Sequence, residues 1–147
     1  MAQLSCFHDA VASVAYSPSP SAEHELYAAA GEEVFCFDLR LLSVNAEGGG
    51  QLALVATLKA SSEEVNSIAV NPKGRYLAAC DDAGELQVYD LHAMKKGSGP
   101  PTVFKALRGG HTNICAALTF VGWRPWEIVR CACKRTPLIH ELSSFGF

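Results

Sequence analysis

The sequence predicts an all-β chain built from a repeated unit of short strands. One apolar spacing, at i, i+3 and i+5, occurs three times: Val11, Val14 and Tyr16; Val65, Ile68 and Val70; Cys115, Leu118 and Phe120. The starts lie 54 and 50 residues apart, and self-similarity at such a period marks a repeat architecture. No run keeps helical periodicity over a useful length.

Each element follows in the same order after the first run. Ser17-Pro18 and Asn71-Pro72 give turn signals in the first two copies. A second apolar run comes next, LYAAA (26–30) or YLAAC (76–80), and then a polar turn, GEE (31–33) or DDAGE (81–85). The third run, VFCFD (34–38) or LQVYD (86–90), ends in an aromatic residue and Asp. From the last triad residue to that acid is 22 residues in the first copy (Tyr16 to Asp38) and 20 in the second (Val70 to Asp90). The same step from Phe120, 21 residues, reaches Glu141 within LIHEL (138–142). A fourth run follows in two copies, LALVATL (52–58) after GGG (48–50) and TVFKAL (102–107) after GSGPP (97–101).

Short runs rich in β-branched and aromatic residues, bounded by Gly, Pro, Asn and Asp, read as strands. They fall near 11–16, 26–30, 34–38, 52–58, 65–70, 76–80, 86–90, 102–107 and 115–120. Four strands per unit is the arrangement of a β-propeller blade. The units span about 11–58, 65–107 and 111–142, with a tail at 143–147. Two complete blades and most of a third are too few for a ring of about 4–8 blades, so an open fan is expected. The stretch after Arg130 lacks an Asp turn and a fourth strand, and is expected to be the least ordered.

Phe37-Asp38 and Tyr89-Asp90 resemble the Trp-Asp dipeptide of the WD-repeat β-propeller family. Gly110-His111 resembles the Gly-His that opens such repeats, and Asp81-Asp82 with Gly84 resembles their Asp-containing turn. The resemblance implies that His111 and the turn Asp belong to a hydrogen-bond network locking a blade. The chain also departs from the pattern. Phe37, Tyr89 and His140 stand where the Trp belongs, SSEE (61–64) replaces Gly-His in the second copy, and CKRTP (133–137) replaces the Asp turn in the third.

Composition fits a packed domain: 49% of the 147 residues are hydrophobic and 18% charged. No stretch approaches the roughly 18 apolar residues of a membrane-spanning helix. The N-terminus lacks a basic region followed by an apolar one, so no secretory signal is read and a cytoplasmic or nuclear location is expected. The six cysteines are then expected as reduced thiols, four of them within strand-like runs. Charge is uneven. Residues 1–92 hold 13 acids against 4 bases, and residues 93–147 hold 2 acids against 8 bases.

The resemblance implies a non-catalytic protein-interaction scaffold without cofactors. Within it, Phe37-Asp38-Leu39-Arg40 resembles the aromatic-Asp-x-Arg ending of repeats that dock onto the propeller adaptor of cullin-4 ubiquitin ligases. That makes Asp38 and Arg40 the candidate partner-binding pair, with Arg40 at the rim where a guanidinium can fork onto carboxylates. Phe37, Asp38, Asp81, Asp82, Tyr89, Asp90 and His111 are the structural residues that the resemblance implies.

The alternative is a nucleic-acid-associated module using the basic C-terminal half. Trp123-Arg124-Pro125-Trp126, with Arg130, Lys134 and Arg135, offers aromatics interleaved with positive charge. The blander reading of that stretch is a loop between two strands with its Trp rings packed on the blade. Cys131-x-Cys133, with His111 and His140, could hold a metal or act as a thiol site, but paired CxxC spacing is absent and free thiols are expected. No nucleophile elbow, phosphate-binding Gly loop or His-Glu-x-x-His motif is present, so no enzyme is read.

Overall fold

Alternating side chains and tight polar turns give the described residues twelve strands and one short helix in a computed structural model. The structure describes residues 2–4, 6–44, 50–95, 103–108, 113–132 and 137–141. The strands are β1 (Ala2–Gln3), β2 (Val11–Tyr16), β3 (Glu25–Ala30), β4 (Glu33–Val44), β5 (Gly50–Lys59), β6 (Val65–Val70), β7 (Tyr76–Asp81), β8 (Leu86–Asp90), β9 (Val103–Leu107), β10 (Cys115–Val121), β11 (Arg124–Ala132) and β12 (Leu138–Glu141). Helix α1 (Leu91–Lys95) follows β8.

Three separate sheets form. Strands β2 to β5 make an antiparallel meander, blade one, with β1 added in parallel at its outer edge. Strands β6 to β9 make blade two, and β10 to β12 make a three-stranded blade three. The described chain is thus an open fan of two full propeller blades and most of a third.

The register shows that the blades are true repeats. Val11 pairs with Ala30, Val65 with Asp81 and Cys115 with Ala132, and a one-residue bulge follows each pairing. Serine then joins one blade to the next. Ser13 Oγ accepts the Ile68 N–H at 3.2 Å, and Ser67 Oγ accepts the Leu118 N–H at 3.4 Å, from equivalent positions in blades one and two. Blade three has Ala117 there.

Each blade presents one face backward and one forward. Tyr27, Ala29, Val34 and Cys36 of blade one pack on Val65, Ile68, Leu77 and Ala79 of blade two. Tyr76, Ala78, Cys80 and Val88 of blade two pack on Cys115, Leu118, Phe120 and Ile128 of blade three. The apolar triads therefore face the preceding blade. Ile68 is 5% exposed, whereas Val14, with no blade before it in the described chain, is 58% exposed. The backward face of blade one is covered instead by Leu4, Cys6 and Phe7, with the Phe7 ring edge-on to Phe35 and Phe37.

All nine expected strands are present within a few residues of their expected bounds, and β4 runs longer, to Val44. Two expectations need correction. Arg124, Pro125 and Trp126 open strand β11 rather than forming a loop. Pro125 fits because it lies between the pairs Val121–Arg124 and Phe120–Ile128, where the ladder is already broken. Helix α1 was not signalled by periodicity, being only five residues long. Most of the tail after Arg130, including Lys134, Arg135 and 143–147, lies outside the described residues. So do residues 45–49.

Candidate interaction surface

The turns joining the first two strands of each blade, and the ends of the third strands, share one rim. Asp38 closes pairing with Glu25, and Asp90 closes pairing with Tyr76. The backbone makes the same lock in both copies: Leu39 N–H donates to the His24 carbonyl and Leu91 N–H to the Arg75 carbonyl, each at 2.8 Å.

The side chains repeat the theme with different partners. Asp38 Oδ1 accepts the Arg40 backbone N–H at 2.9 Å and Arg40 Nε–H at 3.0 Å, while its Oδ2 takes Nη2–H at 2.6 Å. His24 Nε2 approaches the same Oδ2 at 3.9 Å. These bonds, the Arg40 side chain first, hold the Asp38 carboxyl down to about 2. Asp90 Oδ1 accepts the N–H groups of His92 and Ala93 at 2.9 and 3.2 Å, an N-cap for α1, and Oδ2 pairs with Arg75 at 3.2 Å. In blade three, Arg124 pairs with Glu127 at 2.9 Å on the same rim. Each blade thus carries an arginine held by a carboxylate of its own sheet.

Arg40 is 66% exposed and fork-bonded, so its guanidinium is oriented yet reachable from solvent. Beyond it on the rim, Trp123 stands 83% exposed at the β10–β11 turn. The neighbouring Trp126 instead packs against the core between blades two and three. The two tryptophans that the sequence groups together therefore part company.

The opposite rim is acidic. A cleft of about 570 Å³ there is lined by His8, Asp9, Glu32, Glu33, Glu63 and Glu64 among others. Lys59 reaches Glu32 at 3.3 Å.

The remaining sequence candidates fall into structural places. Phe37 is buried against Phe7. Tyr89 is buried, and its hydroxyl lies 3.1 Å from the Lys59 carbonyl and 2.9 Å from Gln87 Oε1, tying blade two to blade one. Burial pushes its hydroxyl up to about 12. Asp81 is buried and organises its turn: Oδ1 accepts the Glu85 N–H at 2.8 Å and Oδ2 accepts the Ser61 hydroxyl at 2.5 Å. Gly84, at φ 76°, closes that turn. Asp82 takes Asn66 Nδ2–H at 2.7 Å. His111 and Cys133 lie outside the described residues, as does the side chain of His140.

Sequence reasoning missed Ser61, which supplies the hydroxyl where the second copy lacks Gly-His. Its position just before the triad was the available signal. Arg130 requires a correction. The sequence grouped it with surface bases, yet it is 0% exposed, because Ile128, Arg130 and Ala132 alternate onto the face against blade two. Its equivalents in the other blades are Ala28 and Ala79.

Among the described residues, no group of three or more His, Cys, Asp or Glu is placed to hold a metal ion. Among them, no helix is long and apolar enough to cross a membrane. No family model matches the chain. The chain is similar to the WD repeat-containing protein 53 homolog of Dictyostelium discoideum, 34% identical over 62 residues. That stretch is 42% of this chain and spans 15% of the length of the relative, so the likeness to WD-repeat proteins is distant and short.

Proposed function

We propose that the chain is a non-catalytic protein-interaction scaffold that docks through the rim carrying Asp38 and Arg40. The observation that carries this reading is the Asp38–Arg40 fork, an exposed guanidinium whose geometry is set before any partner arrives. Pre-setting a long side chain lowers the ordering cost of binding, and arginine is enriched among the residues that dominate interfaces. The likeness to a WD repeat-containing protein agrees with a scaffold role.

The finer reading is a substrate receptor for a cullin-4 RING ubiquitin ligase, with Arg40 meeting carboxylates of the propeller adaptor. Its support is the resemblance of Phe37-Asp38-Leu39-Arg40 to docking repeats. Pull-down of the purified adaptor tests it. The unmutated chain and Arg75→Ala should bind, while Arg40→Ala should keep its melting temperature and lose binding. Full binding by a folded Arg40→Ala chain removes the ligase reading. Among the described residues, the arginines of the basic half do not favour a nucleic-acid interface: Arg130 is buried, Arg124 is paired with Glu127, and Arg108 with Glu85 at 3.2 Å.

A further inference from the structure

Two thiols meet at the seam between blades two and three, far from any docking role. Cys80 lies in β7 and Cys115 opens β10, and both are buried. The Cys80 Sγ–H lies 3.1 Å from the Cys115 carbonyl oxygen, and both side chains belong to the one apolar core between the two blades. Arg130 completes the cluster. Its Nη1–H donates to the Gly84 carbonyl at 2.8 Å, while Nε and Nη2 are buried and have no acceptor among the described residues. Leaving charged donors buried and unsatisfied is unfavourable, so their presence near Cys115 points to a group that becomes anionic there.

We propose that Cys80 and Cys115 are a redox pair that a peroxide converts into a disulfide joining blades two and three. Cys115 is the sulfur that reacts first. The Cys80 hydrogen bond and the Arg130 charge favour its thiolate, against burial and the nearby Asp81. Cys80 is held as the thiol by its bond to Cys115, by burial and by Asp81. The Cys115 thiolate attacks one peroxide oxygen, so that an S–O bond forms, the O–O bond breaks and hydroxide leaves, taking up the proton that Cys115 had given up. Cys80 then passes its proton to the departing oxygen and attacks Cys115 Sγ. The S–S bond forms, the S–O bond breaks and water leaves. Two thiols lose two electrons and two protons, and one peroxide becomes two waters. Arg130 acts as a positioning residue, its free donors facing the charge that develops on sulfur and oxygen.

Thirty-five positions separate the two cysteines, so the bond would close a long loop across two sheets and restrict the unfolded chain. The test uses the full reduced chain with hydrogen peroxide, then alkylation in denaturant and peptide mapping by mass spectrometry. The expected product joins the Cys80 peptide to the Cys115 peptide, two hydrogens lighter than the pair, with a raised melting temperature. Dithiothreitol reverses both changes. Arg130→Lys should keep the cross-link, whereas Arg130→Met should slow it and raise the pH at which Cys115 is alkylated. Recovery of both cysteines as alkylated thiols while the exposed Cys131 is oxidised overturns the proposal, as does linkage of Cys115 to another cysteine. An unchanged pH profile in Arg130→Met overturns the part given to Arg130.

Discussion

Asp38 and Asp81 are both turn acids in the sequence, and their surroundings give them different parts. Asp81 is buried and accepts from the Ser61 hydroxyl and the Glu85 backbone N–H. Asp81→Ala should therefore lower stability by about 3 kcal/mol, and Ser61→Ala by about 1 kcal/mol. Urea unfolding of both single mutants and the double mutant checks this, with non-additivity expected because the residues touch. Asp38 is held in its charged form by Arg40, to about 2. Because its folded value lies below the ordinary carboxylate value of about 3.9, its contribution is present above about pH 4 and fades as pH falls through about 2. Asp38→Asn should flatten the acid limb of the melting temperature between those values. A carboxyl resonance titrating near 4 would contradict the Arg40 fork. The identity of both acids was legible in the sequence. Ser61 and Arg130 were less so, because a hydroxyl substituting for His111-type chemistry and a cation turned inward both depend on which strand face meets the neighbouring blade.

At the scale of elements, alternation and turn residues made the strands legible, since both are local. The hidden parts depend on what happens at strand ends. Asp90 and Asp38 end equivalent strands, yet Asp90 caps a helical turn while the chain after Asp38 continues through a bulge toward Leu42. Replacing Asp90 by Ala should cost about 1 kcal/mol through the lost cap, seen as reduced helical signal and earlier unfolding. Pro125 disguised β11 in a similar way, since a proline inside a regular ladder would argue against a strand and only the break opposite Val121 admits it.

At the scale of the molecule, the account rests on three sheets standing side by side in repeat order, which gives one rim its arginines and the other its acids. Two seams join them, each with a serine accepting an amide from the next blade. Amide hydrogen exchange at Ile68 and Leu118 tests this most directly, because neither N–H would be protected by Ser13 or Ser67 if the sheets were independent. Both amides should exchange slowly in the unmutated chain. Ser13→Ala should expose Ile68 alone and Ser67→Ala should expose Leu118 alone, each at a cost of about 1 kcal/mol. Rapid exchange at both positions in a chain whose inner strands remain protected would contradict the propeller-like arrangement.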